Sequence, residues 1–201
     1  MHYNYPRVGG VKRDIPVGFA DRLIAKVKLF EHRIDEYEMM LDESTIWLVR
    51  LQGVGYTKAE DMVNAGVSGP NIRAAGVNYD VRWAHPYSVY DQVDWEPAVE
   101  KPTSIKGADC YDRYRVRMEE MRQSCRMILD AIEKIPGGKN TNYSSGDAMI
   151  LAKAPTRAPE GATGFSHYEC TRGASQFYIQ GGGDGRGKKP YRLSIRSPMF
   201  I

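Results

Sequence analysis

The chain has 201 residues, enough for one domain or two small ones, and its 42% hydrophobic share is that of a globular protein. Its 28 Lys and Arg residues exceed the 25 Asp and Glu residues by only three, too small a surplus for a nucleic-acid-binding surface. No apolar run approaches the roughly 20 residues that span a bilayer. The first ten residues, MHYNYPRVGG, also lack the apolar stretch of a secretory signal. We therefore expect a soluble or peripheral protein without a nucleic-acid partner.

The three cysteines, Cys110, Cys125 and Cys170, lie far apart and form no C-x-x-C pair. Zinc and iron–sulfur sites use closely spaced cysteine pairs, and small secreted folds use many cysteines. The pattern therefore argues against a disulfide framework and against a metal site held by this chain alone, and it indicates a reducing compartment.

A first long helix is predicted from about Asp14 to about Asp42, because Asp14 suits an N-cap and Pro16 suits the first turn. Apolar residues at alternating steps of four and three would form a single buried stripe. The stripe consists of Phe19, Leu23, Val27, Phe30, Ile34, Tyr37 and Leu41.

Short helical segments are expected next. The first covers about Ile46 to Leu51. Thr57 and Glu60 have the spacing of a capping box, which predicts a helix that ends at Gly66. The sequence Ser68-Gly69-Pro70 predicts another short helical turn that ends near Gly76.

Residues 78–95 are rich in aromatic side chains with polar tips. Such side chains suit an interface or the wall of a cavity. An irregular segment held on the core by its rings is the alternative, and the sequence leaves both open.

The second long helix is predicted to start at Asp109 or Asp112 and to run to about Ile135, where Pro136-Gly137-Gly138 ends it. Its inner stripe is Tyr114, Met118, Met121, Cys125, Ile128 and Ile132. Five arginines crowd the remaining surface, which fits a solvated face with local ion pairs, or docking onto an acidic or phosphorylated partner. They are Arg113, Arg115, Arg117, Arg122 and Arg126.

Residues 137–166 are expected to be a connector, and 167–201 a β hairpin region with strands near 167–171, 176–180 and 191–196. The glycine-rich stretch 181–187 invites comparison with a phosphate-binding loop. Such a loop is followed by a helix, whereas here a strand follows, so we interpret the stretch as a turn and expect no NAD bound by this chain.

The histidines carry little signal individually. His32, His85 and His167 fit an exposed helix position, a turn and a strand start. His2, beside tyrosines and Arg7, could tune a redox centre or carry a proton.

Several segments in order resemble one family, the hydrogenase-like large subunit of the NADH–quinone oxidoreductases (respiratory complex I). They begin at MHYNYPRVGGVKRDIPVGF and continue through RIDEYEMML, Gly53-Val54-Gly55, Ala65–Pro70, Arg73–Val77, Tyr79–Arg82 and His85–Ser88. The most specific runs from Asp109-Cys110-Tyr111-Asp112-Arg113-Tyr114 to Ser124, and KPYR and RSPMF resemble the family's late strand.

The resemblance implies an α+β fold with a long-helix bundle of the nickel–iron hydrogenase large-subunit type and a C-terminal β hairpin, within a single partial domain. It implies packing against an iron–sulfur small subunit that carries a terminal [4Fe–4S] cluster, with quinone reduced between the two. His2 and Arg7 would lie near that cluster. The chain itself would bind no metal or cofactor and be inactive alone, and NAD would bind another subunit.

The same resemblance implies further peripheral-arm and membrane-arm partners at the cytoplasmic face of the cell membrane. It covers about the middle half of a family member, so we expect an internal fragment. Gly173-Ala174-Ser175-Gln176 departs from the family's Gly-Glu-Leu/Phe-Gly, so NADH, ferredoxin and F420H2 all stay open as donors. The alternatives are the large subunit of a membrane-bound nickel–iron hydrogenase and a non-catalytic interaction fragment.

Overall fold

The computed structural model describes residues 5–7, 10–12, 15–135, 159–182 and 189–198. Its elements in chain order are β1 (Pro6–Arg7), β2 (Gly10–Val11), α1 (Phe19–Asp42), α2 (Thr45–Leu51), α3 (Ala59–Asn64), α4 (Pro70–Ala74), α5 (Val81–Ala84), α6 (Cys110–Lys134), β3 (Thr163–Cys170), β4 (Gly173–Gly181) and β5 (Pro190–Arg196). The expected α+β class is confirmed in this form, with helices and a three-stranded antiparallel sheet.

The two long helices pack together through an apolar seam. Val27 and Ile34 of α1 meet Met118 and Cys125 of α6, and all four are buried. Only Val27 and Ile34 of the predicted α1 stripe are buried, whereas Phe19, Phe30 and Tyr37 stay 37%, 42% and 45% exposed.

A second apolar core joins α3, α4 and the first turns of α6. Met62, Ile72 and Val116 are its largest members, and small alanines fill the space between them. These alanines allow the short helices to lie close to α6.

The start of α1 differs from the prediction. The helix begins at Phe19 rather than near Asp14, because its N-cap, Gly18, has a left-handed φ of 71° that no helical residue adopts. Pro16 accepts a turn hydrogen bond from the Phe19 N–H instead of lying in the first helical turn. Asp14 lies outside the described residues.

The predicted capping box at Thr57 is wrong. Lys58 is the N-cap of α3 and makes no side-chain capping bond. The Thr57 backbone forms an antiparallel bridge with Ala108, and its hydroxyl accepts a hydrogen bond from Arg113 at 3.0 Å. A contact 51 residues away in sequence therefore overrides the local signal.

Helix α6 agrees closely with the prediction. Asp109 is the N-cap and accepts hydrogen bonds from the N–H groups of Tyr111 and Asp112, while Asp112 accepts one from the Asp109 N–H. The short helices α2, α3 and α4 also occur where they were expected, and the left-handed Gly66 and Gly76 follow α3 and α4.

The C-terminal region is a three-stranded sheet in the order β3-β4-β5. Strand β3 begins at Thr163, four residues before the predicted start, and β4 begins at Gly173 rather than Gln176. Both strands are longer than predicted because β3 and β4 pair continuously from Thr163–Gln180 to Cys170–Gly173. The rest of the expected connector, 137–158, and the turn residues 183–188 lie outside the described residues.

Candidate functional site

The most densely bonded polar group in the described part of the chain is a buried ionic cluster centred on Arg73. This arginine lies on α4, which is held between left-handed glycines at positions 69 and 76. Pro70 starts the helix, where its missing N–H costs no hydrogen bond. The side chain of Arg73 turns inward and is only 2% exposed.

Arg73 binds three carboxylates from three parts of the chain. Its Nη1 lies 3.0 Å from Asp80 Oδ2 and 3.0 Å from Glu169 Oε1, and its Nε donates to Glu120 Oε1 at 3.1 Å. The Tyr79 carbonyl accepts a fourth bond at 3.1 Å. One guanidinium therefore ties α4 to α6, to strand β3 and to the segment before α5.

Asp80 links this cluster to a second arginine. Its Oδ1 caps α5 by accepting from the Arg82 N–H at 2.9 Å, and its Oδ2 lies 2.8 Å from Arg82 Nη2. The Arg82 guanidinium stacks 4.5 Å from the Trp95 ring centroid and 5.6 Å from that of Tyr90. Part of the aromatic segment 78–95 thus forms a cation–π contact that holds Arg82.

The cluster contains more carboxylates than guanidinium groups. Asp80, Glu120 and Glu169 face two guanidinium groups, and Asp80 and Glu169 are 0% and 3% exposed. Burial raises the pKa of Glu169, and the nearby charge of Asp80 raises it further, while Arg73 acts in the opposite direction. Burial opposes the charged form of Arg82, but its hydrogen bond to Asp80 and the Asp80 charge prevail, so its pKa is raised.

A cleft of about 660 Å³ opens beside the cluster. It is lined by Arg73, Glu120 and Glu169 of the cluster and by Arg117 and Arg172. The remaining lining residues are Arg82, Tyr90, Met121, Ser124, Cys170 and Thr171.

The segment that carries the most specific resemblance, Asp109–Tyr114, forms a rigid start to α6. Besides capping the helix, Asp109 accepts a hydrogen bond from the Gly53 N–H at 2.9 Å. Arg113 donates to the carbonyls of Gly55 at 2.6 Å and Ala108 at 3.3 Å. These bonds fix the loop 52–57 on α6 and so position the long helix that forms one wall of the cleft.

The five α6 arginines follow neither prediction fully. Arg122 bonds Asp35 and Glu38 of α1, and Arg115 bonds Glu100, so these ion pairs join separate segments. Among the ion pairs that these five arginines form with described residues, only the contacts of Glu119 with Arg122 and Arg126, at 3.9 and 3.8 Å, lie within α6.

The predicted site residues fall at the edge of what the structure describes. His2 lies outside the described residues. Arg7 lies in β1, where its backbone pairs with Gly10, and its side chain is not described. The expected position of both residues near a partner subunit's [4Fe–4S] cluster therefore stays a prediction.

The other histidines are not among the groups that Arg73 binds. His32 pairs with Glu36 on the surface of α1 at 3.2 Å. The rings of His85 and His167 are 6.3 Å apart. Burial lowers the pKa of His167, and the charges of His85 and Arg196 lower it further.

Sequence reasoning did not identify the Arg73 cluster. Its partners are distant in the chain, since Glu120 is 47 residues and Glu169 is 96 residues from Arg73. One local signal was available: Arg73 stands between Ile72 and Ala74 in a short, small-residue helix, where a charge needs buried partners.

Within the described ranges, no group of three or more His, Cys, Asp and Glu side chains could hold a metal ion. The described helices include none with the length and apolar character required to cross a bilayer.

Comparisons with known proteins agree over the whole chain. The model of the family described as the respiratory-chain NADH dehydrogenase, 49 Kd subunit, matches residues 1–201. A subunit of the NADH-quinone oxidoreductase of Rhizobium etli is 36% identical over 219 aligned residues, which cover 100% of this chain and 52% of that protein. The mitochondrial 49 kDa subunit of NADH-ubiquinone oxidoreductase from Neurospora crassa is 37% identical, with 44% of its length covered.

One solved structure extends the likeness to three dimensions. A chain of the membrane-bound sulfane sulfur reductase, an archaeal respiratory membrane complex, has a TM-score of 0.77 and 31% identity. The alignment covers 96% of this chain and 49% of that one. This chain thus spans about half the length of the relatives it matches. The match along its full length shows that the chain belongs to the family of the 49 Kd subunit of the respiratory-chain NADH dehydrogenase.

Proposed function

We propose that this chain forms part of the wall of the quinone-reduction site in a respiratory NADH–quinone oxidoreductase, beside a [4Fe–4S] cluster carried by a partner subunit. The observation that carries the proposal is the family match over residues 1–201, with relatives named for oxidation of NADH and reduction of quinone. The rigid α6 start and the ionic cluster support it, because such cross-linked walls keep a redox cavity in shape.

The same proposal covers the finer fold and the partners. Helices α1 and α6 would belong to a bundle of the nickel–iron hydrogenase large-subunit type, completed by parts of the subunit beyond this chain. The partners would be the iron–sulfur small subunit, other peripheral-arm subunits and membrane-arm subunits, at the cytoplasmic face of the membrane. NAD would bind another subunit.

We also propose that His2 and Arg7 lie close to the partner's cluster. A hydrogen-bond donor beside an iron–sulfur cluster raises its reduction potential, and a titrating donor makes that potential depend on pH. An imidazole at position 2 could supply both effects.

A second candidate is a role in a sulfur-reducing respiratory complex. It is favoured by the solved sulfane sulfur reductase, since that chain resembles this one at 31% identity. The Arg73 cluster is compatible with either enzyme, so the two candidates have to be distinguished by the reaction that the purified complex catalyses.

The test is to place an affinity tag on this chain in its native cells, purify the complex that contains it and assay electron transfer. The proposal predicts NADH-dependent reduction of a quinone analogue and little reduction of polysulfide. Polysulfide reduction without quinone reduction would support the second candidate. A tagged chain that purifies without any other subunit would contradict both.

A further inference from the structure

The segment that contains α5 contacts strand β3 at two points. At the first, Glu169 Oε2 accepts a hydrogen bond from the Val81 N–H at 3.3 Å. The second is a contact between two histidines, His85 at the C-cap of α5 and His167 on β3, whose ring centroids are 6.3 Å apart. Side chains two residues apart on a strand lie on the same face, so both points join α5 to one face of the sheet.

Among the described residues, no acidic side chain pairs with either of these histidines. Gln176 lies opposite His167 on β4, and Arg196 follows in the same row on β5. The cavity of about 360 Å³ beside them adds Tyr79, whose pKa is raised by burial, so its hydroxyl stays neutral. The charges that act on His167 are therefore those of His85 and Arg196, and both are basic groups.

His167 is poorly placed to accept a proton. Its Nε2 is shielded from solvent, and no described group forms a hydrogen bond with it. Burial lowers the pKa of His167, and the charges of His85 and Arg196 lower it further. A protonated imidazole here would hold an unpaired charge beside other basic groups. Glu169, the acidic group on the same strand face, is already bound to Arg73.

We propose that the His85–His167 contact is an acid-sensitive latch, which holds the α5 segment on β3 while both imidazoles are neutral and releases it when they are protonated. Asp80 is the N-cap of α5 and binds Arg73, and Arg82 on α5 lines the cleft beside the cluster. Release of the segment would therefore loosen the Arg73 cluster and widen this cleft. The latch consists of contacts within one chain, so it does not depend on which reaction the complex catalyses.

The direction of the pH dependence follows from the surroundings of His167. Because its pKa in the folded chain lies below the ordinary value of about 6.5, the released segment binds the proton more tightly than the latched one. The stability of the latch is fully present above this ordinary value and is lost as pH falls toward the folded one. Glu169 has a raised pKa and acts in the opposite direction, so the two effects can be separated.

The test is hydrogen exchange of the tagged chain, in the complex with which it purifies, between about pH 5 and about pH 8. Each rate is divided by the intrinsic exchange rate at the same pH. The reporters are the amides of Trp83 and Ala84, which donate to the Asp80 carbonyl at 3.1 and 2.8 Å. Their protection is expected to fall by about threefold or more toward the acid end, because protonation of His167 favours release.

Two variants assign this fall to the latch. His167→Gln should remove it, because an amide side chain does not titrate. His85→Asp should also remove it, because a carboxylate beside His167 stabilises the protonated imidazole. His85 is exposed, so this second variant is informative even where His167→Gln weakens the sheet. The matched control is His32→Gln on the surface of α1, where His32 pairs with Glu36, and it should keep the full fall.

Two results would overturn the proposal. In one, the protection of the wild-type Trp83 and Ala84 amides does not change over the pH range. In the other, the fall keeps its wild-type size in either His167→Gln or His85→Asp, which would mean that another group causes the opening.

Discussion

Two regions hold this chain together by different means. At the α1–α6 seam, apolar side chains such as Ile34 and Met118 fill the interior, and the ion pairs of Arg122 with Asp35 and Glu38 lie at its edge. At the Arg73 cluster, the charges themselves occupy the interior.

The difference has an energetic consequence. Apolar burial stabilises in proportion to the area removed from water, so the seam contributes to stability directly. A buried ion network roughly balances the cost of desolvation against attraction, yet losing one member strands the others without partners. The seam therefore supplies stability, whereas the cluster mainly enforces one arrangement of α4, α6 and β3.

The largest effect is expected from Arg73→Met. The change leaves Asp80 and Glu169 as buried carboxylates without their shared guanidinium, which costs about 3–5 kcal/mol. Hydrogen exchange of the α4 amides measures this loss of stability, because amides of a destabilised segment open and exchange faster. Protection that stays at the wild-type level would contradict a cohesive role for the cluster.

At the seam, Ile34→Ala should cost about 2–5 kcal/mol, because Ile34 is fully buried and its removal leaves a cavity. The matched control is Ile46→Ala on α2, where the side chain is 71% exposed and the expected change stays within about 0.5 kcal/mol. Exchange rates of α1 amides report both. Equal losses at the two positions would remove the distinction between seam and surface.

Gly173→Ala tests the turn that brings Glu169 to the cluster. A Cβ at this position would lie 2.6 Å from Ser68 Oγ and 2.8 Å from the Ser68 backbone, and we expect overpacking to cost about 1–3 kcal/mol. Gly161→Ala is the control, since its φ of 73° is also left-handed but its Cβ meets open space. The loss measured by exchange of β4 amides should be larger at position 173. A loss at position 161 as large as that at position 173 would contradict the crowding argument.

The pKa of Glu169 predicts a pH dependence. Because burial raises this pKa above its unfolded value, the folded chain binds the proton more tightly than the unfolded chain does. The corresponding stability is fully present below the unfolded pKa and is lost as pH rises through the folded one. Glu169→Gln should flatten the pH profile of β3 exchange in that window. If the Glu169→Gln variant keeps the full wild-type slope, a group other than Glu169 causes the pH dependence.

The smallest effect is expected from Arg122→Met, the seam counterpart of Arg73→Met. Arg122 is 26% exposed, so solvent screens its bonds to Asp35 and Glu38 and the loss should be about 0–1 kcal/mol. The difference from wild type, followed by exchange of α6 amides, should shrink as salt is added. A loss of stability as large as that of Arg73→Met would contradict the proposed difference between the seam and the Arg73 cluster.

Local signals in the sequence predicted one part of this fold well. The Asp109 cap and the apolar spacing of α6 depend on residues three or four apart, so they could be identified directly. The start of α1 was predicted wrongly because the left-handed Gly18 outweighs the signals at Asp14 and Pro16. The capping box predicted at Thr57 does not form because the Thr57 backbone pairs with Ala108.

The candidate site could not be predicted in the same way. Arg73, Glu120 and Glu169 come together only after α4, α6 and β3 have packed. The family could be identified from its motifs, because they follow one another in order along the chain. Those motifs do not indicate which of their charged residues share a cluster.

The proposed place of the chain beside the redox site is tested most directly by His2→Met in the tagged complex. The measurement is the midpoint potential of the terminal cluster, followed by electron paramagnetic resonance across a range of pH. If His2 donates a hydrogen bond at that cluster, its replacement by Met lowers the midpoint potential of the cluster and abolishes the dependence of this potential on pH. An unchanged potential with an unchanged pH slope would contradict the account.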